Sequence, residues 1–521
     1  MQRNVFPSTV TPRLLAGVIG LLVVLGSASP AAAATSATVS FQFFDESGNK
    51  LTHSQVVARM TNHAGSSFMS TGTMDLPTLK ALTLNIDYSS NGLFTIPFTN
   101  LTANPKQGLM VHWNTANTGY STFLLDNGGN GFTQSETLVF NEQLAKDAHR
   151  QFNDAYARRT TATPPYVPST TFVNLKAVAD TCMLKLAQAT ALSFKGKYGQ
   201  ECLDDTVQAM ALMLKEYGVQ NARALEQRQV YGTWGVSTET LSTSYRAHID
   251  DMTTLFEPRH RWARLVMDEV GNSDFAKVRT VLNYATSKQV QTLGQLFDSS
   301  VQSSLSLTAF KAAVDKALAY PDFDKFTAWE VGNEVNGGWL GSGMSAKIAY
   351  ASAQVKAKTQ KKVYLTFYWY GIEDTLQTSL FNWIDANITP EMHANIDGVA
   401  LSIYIDQQPL GFSWDLVMTR LAALFPGKAI MVGELGFIDP SVKTIFREGP
   451  VTPSDNAGGQ LYIDNRYPAS FGTANAVGGN FWWFYDQQMA GRQPLWNALH
   501  STYCQIYQGY ADVSHVCGGA L

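Results

Sequence analysis

The chain has 521 residues, of which 45% are hydrophobic, 12% aromatic and 15% charged, with 38 Lys+Arg against 42 Asp+Glu for a formal charge of −4. That much apolar material excludes a mainly disordered chain, and the length excludes a single small binding module. The slightly negative balance supplies no basic face to neutralise phosphates, so nucleic acid is excluded as a partner.

At the amino terminus, Arg3 and Arg13 precede an apolar run from Leu14 to Gly26, and Ala32-Ala33-Ala34 has the small residues of a cleavage site. Residues 1–34 read as a secretory signal peptide, with a retained membrane anchor as the alternative; the run is short against the roughly 20 residues a spanning helix needs. Export permits disulfides. The four cysteines fall into local pairs, Cys182 with Cys202 and Cys504 with Cys517, expected as two bridges with buried free thiols as the alternative.

Residues 35–140 read as a small β-rich domain. Val39, Phe41 and Phe43 alternate ahead of the turn Asp45-Glu46-Ser47-Gly48-Asn49, and later runs such as Phe94-Thr95-Ile96-Pro97-Phe98 are short and punctuated by Asn and Gly. Asp126-Asn127-Gly128-Gly129-Asn130-Gly131 has the flavour of a calcium loop, but it lacks the oxygen ligand at the third position and the distal Glu, so it reads as a turn. Residues 141–226 form a helical linker or hairpin segment. A helix over 141–159 stops at the breaker-rich stretch 160–168, and helices over 173–193 and 203–217 follow, joined by a glycine-containing turn and clamped by a Cys182–Cys202 bridge.

From residue 227 to 521 short apolar strands alternate with amphipathic helices. Strands are expected near 230–236, 262–267, 292–297, 326–334, 363–369, 398–404, 429–434 and 480–485, with helices near 237–255, 276–288, 308–320, 346–359, 376–387 and 413–425. This α/β count fits a (β/α)8 TIM barrel, preceded by the small β-rich domain and the helical segment; a doubly wound open sheet is the rival.

The C-terminal ends of barrel strands form the reactive face, and two predicted strands end in glutamate. The fourth carries Trp329-Glu330-Val331-Gly332-Asn333-Glu334-Val335-Asn336, and the seventh Ile430-Met431-Val432-Gly433-Glu434-Leu435-Gly436-Phe437, with Glu334 and Glu434 spaced 100 residues apart. Strands four and seven of an eight-membered ring lie on opposite sides, so the two carboxyls can face each other across the mouth. That is the geometry glycoside hydrolysis uses. Glu330 shares the strand face of Glu334 by sequence spacing and is expected inside the barrel in a structural role.

Gly332-Asn333-Glu334 together with Gly433-Glu434-Leu435-Gly436-Phe437 resembles the clan A retaining glycoside hydrolases. Val331 to Val335 is similar to family 17, Trp329-Glu330 with Asn333 to Asn336 is similar to family 39, and Gly433-Glu434 followed by Gly436 is similar to family 5, without one family matching throughout. The resemblance covers about residues 227–500. It implies Glu334 as general acid/base, Glu434 as nucleophile, Asn333 as donor to a sugar 2-hydroxyl, Tyr404 as a hydrogen-bond donor to the nucleophile, and Arg264 as a fixed positive charge beside it. In Phe481-Trp482-Trp483-Phe484-Tyr485-Asp486 one tryptophan is expected as the floor under the cleaved sugar; Trp483 is preferred, with Trp482 on the opposite strand face. Trp234, Trp339, Trp369 and Tyr368 are further candidates for sugar subsites, each with core packing as the alternative.

The nine histidines show no zinc-ligand spacing, and there is no nucleophile elbow, Walker loop or dinucleotide fingerprint, so no metal and no cofactor is expected. The sequence therefore reads as a secreted, monomeric retaining β-glycoside hydrolase acting within a polysaccharide or oligosaccharide chain, without a stable membrane anchor after signal cleavage. A transglycosylase sharing the covalent intermediate and a non-catalytic glycan-binding surface protein are the alternatives.

Overall fold

The computed structural model describes residues 35–60, 70–84, 93–115, 119–228, 233–238, 245–267, 269–372, 375–404, 408–436, 465–473, 476–480, 493–510 and 514–517. The leader read over residues 1–34 and the pair Trp482 and Trp483 lie outside them, and of Trp234 only the backbone is described.

The amino-terminal part contains β1 (Ser36–Gln42), β2 (Thr71–Asp75), β3 (Ala81–Leu84), β4 (Phe94–Thr99), β5 (Gln107–Thr115), β6 (Gly119–Leu125) and β7 (Glu136–Val139). They pair as two sheets, β4-β1-β7 and β3-β2-β5-β6. The alternation in β1 works as expected: Val39 and Phe41 are buried while their neighbours are not. Phe43, Trp113 and Phe140 join the two sheets to the first long helix, with Phe43 stacked on Phe140 at 4.3 Å between ring centroids. The Asp126 to Gly131 segment is a turn whose Asp126, Asn127 and Gly128 amides donate to the Asp147 carboxylate.

Three helices follow, Phe140–Thr160, Thr170–Gln188 and Leu192–Gln227. Ser169 caps the second by accepting from the Phe172 amide. The third begins 11 residues before its expected start and runs for 36 residues, because the glycines read as a turn lie inside it. A Cβ on Gly196 would sit 2.3 Å from the Phe44 Cβ, and one on Gly199 2.5 Å from the Asn141 carbonyl carbon. Glycine serves close approach there, and the actual turn is residues 189–191. The Cys182–Cys202 bridge clamps this hairpin, and Cys504–Cys517 closes the carboxy-terminal helical segment.

The remaining strands, β8 (Thr233–Thr238), β9 (Arg261–Val266), β10 (Gln291–Gln295), β11 (Ala328–Glu330), β12 (Lys362–Tyr368), β13 (Gly398–Tyr404), β14 (Ala429–Gly436) and β15 (Ala476–Asn480), pair in parallel in chain order. β15 pairs with β8 and closes the ring. Helices between successive strands include Asn272–Ser287, Leu307–Leu318, Met344–Thr359 and Trp414–Leu424. Of the helix expected over 237–255, residues 237 and 238 belong to β8 and Tyr245–Leu255 is helical, with 239–244 outside the described residues. β11 is shorter than expected: it ends at Glu330 because the chain leaves the sheet at Val331. β15 starts at Ala476, and the strand expected over 480–485 lies, beyond Asn480, outside the described residues.

Inside the ring, Leu293, Ala328, Tyr364, Ala400 and Met431, with Trp262 packed on them, form an apolar plug. Side chains alternate along a strand, so the residues two further on share the interior. They are Arg264, Gln295, Glu330, Thr366 and Ser402, and the interior therefore turns polar toward the C-terminal mouth. The amino-terminal part docks on the outside of the ring: Arg158 and Arg159 pair with Asp415 at 2.6 and 2.5 Å, and the Asn382 amide exchanges hydrogen bonds of 2.7 and 2.9 Å with the Ala81 backbone.

Candidate active site

Of the residues singled out by sequence, Arg264, Asn333, Glu334, Tyr404 and Glu434 are brought together. Arg264, fully buried on β9, is the hub. Its Nε and Nη2 donate to the two oxygens of Glu330 at 2.6 and 2.7 Å, Nη2 also donates to Asn333 Oδ1 at 2.8 Å, and Nη1 donates to Glu434 Oε1 at 2.5 Å. Burial lowers the pKa of this guanidinium, but the charges of Glu330 and Glu434 more than reverse that, and it stays ionised. Glu330 is thus inside the ring as expected, and its partner is now evident; the Thr366 hydroxyl donates to it as well at 2.6 Å. The fork geometry of arginine is what allows one side chain to orient three others.

Glu434 reaches the interior through a break in the β13–β14 register. Leu401 pairs with Val432 but Ser402 pairs with Glu434, which leaves Gly433 as an extra residue. Met431 points inward and strict alternation would turn Glu434 outward; the bulge at Gly433 returns it to the interior. There is little room for a side chain at that point, since a Cβ on Gly433 would lie 3.0 Å from the Ala400 Cβ and 3.1 Å from Thr366 Cγ2. The Tyr404 hydroxyl donates to Glu434 Oε2, so both oxygens of this carboxylate are held. Burial and the negative charge of Glu434 raise Tyr404 well above the usual phenol range, and it remains a donor.

Glu334 lies beyond the end of β11, in a tight turn where the Gly337 amide donates to the Glu334 carbonyl at 2.7 Å. Its φ is 49°, in the left-handed region, an uncommon conformation for a residue with a side chain and one that concentrates at functional sites. The preceding Asn333 is fixed at both ends of its amide: Oδ1 accepts from Arg264, and Nδ2 donates to the Ser299 hydroxyl at 3.0 Å.

The two carboxyls have unlike surroundings. Glu334 is raised well above the ordinary carboxylate range, first by burial and then by the charge of Glu434. Glu434 is raised by burial too, but Arg264 and the Tyr404 hydrogen bond oppose that. A pair holding one proton therefore keeps it on Glu334 and the charge on Glu434.

Sequence reading missed Ser299, Thr366 and Tyr370. Ser299 opens the short helix Ser299–Ser304 and Thr366 lies within β12, and serine and threonine are too common in such places to stand out. Tyr370 packs 4.6 Å from Tyr368, which stacks at 6.0 Å on Tyr404. Trp369, a candidate subsite residue, follows the end of β12 and is a buried core residue. Trp339 is exposed. The metal-ligand types grouped among the described residues, His500, Cys504 and Cys517, include two sulfurs already joined in a bridge. A cavity of about 270 Å³ where the helix Phe140–Thr160 meets the ring is lined by Asp126, Arg150, Asp154, Arg158 and Asp415; it shares no residue with the strand-end carboxyls, and these charges pair with one another.

No family model matches the chain, and no curated protein matches it. Among solved structures it is similar to an endo-β-1,4-mannanase from Thermotoga petrophila, at 10% identity and a TM-score of 0.38 over 54% of this chain and 78% of that one. It is also similar to an endo-β-1,4-xylanase of glycoside hydrolase family 10 from Gloeophyllum trabeum, at 15% identity and a TM-score of 0.37 over 52% and 96% of the two chains. A third is an endo-1,4-β-mannanase from Rhizomucor miehei, at 14% identity and a TM-score of 0.36 over 52% and 95%.

Proposed function

We propose that the chain is a secreted, monomeric retaining β-glycoside hydrolase that cleaves within a polysaccharide, built as a (β/α)8 barrel with an amino-terminal accessory part. The observation that carries the reading is the Arg264 and Tyr404 clamp on Glu434, set against a Glu334 whose pKa is raised by burial and by the charge of Glu434. Glycosidic cleavage with retention needs this division of labour between two carboxyls.

In the first step Glu434 attacks the anomeric carbon while Glu334 gives its proton to the departing glycosidic oxygen, forming a glycosyl ester and releasing the leaving sugar as an alcohol. As the negative charge leaves Glu434, its hold on the Glu334 proton weakens, which favours the transfer. In the second step Glu334, now ionised, takes a proton from water as the water oxygen attacks the anomeric carbon and frees Glu434. Asn333 Nδ2 has a second proton to offer the sugar 2-hydroxyl, in an orientation set by Arg264 and Ser299. Trp483, preferred over Trp482, is the proposed floor beneath the reacting ring, and Trp234 a further wall.

Trapping with 2-deoxy-2-fluoro glycosides and peptide mass spectrometry tests the assignment. The expected adduct is on Glu434, and a label on any other residue would sink the division of roles between the two glutamates.

A further inference from the structure

We infer that Trp339 forms the stacking wall of the leaving-group sugar subsite. The inference rests on the glycosidase reading and deepens it. Trp339 is 45% exposed, an unusual state for so large an apolar side chain. It is nonetheless fixed in place. Its ring meets Tyr368 edge-on at 5.4 Å and 89°, and Tyr370 at 6.1 Å. Any Cβ on Gly337 would fall 2.5 Å from its Cε2 and Cζ2 atoms, so a glycine there lets the indole lie flat against the backbone. The adjacent Leu340 is buried and anchors the short helical turn Gly338–Leu340.

This rigid, half-open indole is connected to the reacting carboxyls on two sides. Through side chains, Trp339 touches Tyr368, Tyr368 stacks on Tyr404, and Tyr404 donates to Glu434. Through the backbone, it follows Glu334 by five residues on a turn closed by the Gly337 amide and the Glu334 carbonyl. Glu334 delivers its proton to the oxygen that leaves with the departing sugar, so the next flat apolar surface along the same turn stands where that sugar must be. A pyranose offers a C–H face of matching shape. Beyond the turn, Gly341 and Gly343 take positive φ, and a Cβ at either would meet nothing within 4 Å, consistent with an open approach for a long chain.

The role predicts a substrate-dependent defect. In W339A, kcat/KM for β-1,4-mannohexaose, xylohexaose or cellohexaose, whichever the wild type cleaves, should fall at least about tenfold further than kcat/KM for the β-glycosyl fluoride of the same sugar, whose leaving group is a single atom with nothing to stack. W339F, which keeps a flat ring, should recover most of the difference. Equal losses on both substrates, or an unchanged hexaose rate, would overturn the inference. If the wild type turns over none of these compounds, the glycosidase reading fails for β-1,4-linked mannan, xylan and glucan; calorimetric titration with the same hexaoses then decides the subsite, and equal binding by wild type and W339A, or no binding by either, overturns it.

Discussion

Tyr404→Phe isolates one contact. The hydroxyl donates to Glu434 Oε2, and its removal leaves the ring, its stacking on Tyr368 and the Arg264 bond to the other oxygen in place. A hydrogen bond to a charged acceptor contributes about 1.5–3 kcal/mol. The bond stabilises the ionised form of Glu434, so losing it raises the Glu434 pKa, and at 1.36 kcal/mol per unit the rise is about 1–2 units. The nucleophile is then ionised only at higher pH, and the acid limb of kcat/KM moves up by the same amount. On the plateau above the acid limbs of both proteins, the lost bond also weakens Glu434 as leaving group in the second step, which should lower kcat about 10- to 100-fold. Chromogenic aryl glycosides assayed across the pH range measure both effects. An acid limb that stays in place, with kcat within about threefold of wild type, would refute the argument that Tyr404 tunes the nucleophile.

Three other substitutions probe the rest of the centre. Glu334→Gln should remove the alkaline limb of kcat/KM, because a carboxyl with a raised pKa supplies its proton up to that pKa and fails above it; azide, a nucleophile that needs no base, should restore turnover of activated aryl glycosides. Gly433→Ala should cut activity about tenfold or more, as the added methyl presses on Ala400 and Thr366 and shifts the bulge, while urea unfolding moves by only about 1–3 kcal/mol. Arg264→Met should destabilise the fold by about 3–5 kcal/mol in urea titration, because it strands Glu330 and Glu434 as buried carboxylates without their cation. A variant with this substitution that proved as stable as wild type would mean those charges are compensated elsewhere.

The centre was legible because its members stand where the chain pattern changes. Arg264 is a charge within an apolar strand, Asn333 and Glu334 follow a strand and a glycine, and Gly433-Glu434 interrupts a run of aliphatics. What alternation alone misplaces is Glu434, which points inward only through a register shift that no residue pattern in β14 announces. Similarly, the sequence signal that extends β11 to Glu334 is apolar spacing, and what ends it is a left-handed turn whose occupant is a glutamate rather than a glycine. The largest error concerned Gly196 and Gly199. A glycine that breaks a helix and one that lets another element touch it look the same in a sequence, and only the positions of Phe44 and Asn141 separate them.

The 36-residue helix that contains those glycines is about 54 Å long at 1.5 Å per residue. Near its start it seats Phe44 and Asn141 of the amino-terminal part. Near its end a Cβ on Gly218 would lie 1.9 Å from the Pro468 carbonyl oxygen, Asn221 donates to the Phe471 carbonyl at 2.6 Å, and Arg223 donates to the Ile506 carbonyl. The helix therefore works as a tie rod between the amino-terminal sheets and the return path of the chain from β14 to β15, and one apolar core runs unbroken from Val39 to Tyr507. A barrel severed at residue 227 would lose the strut that its own seventh connection leans on. Loosening by heat or denaturant should then spread along that rod, so that the mouth and the distant sheets melt together rather than in turn.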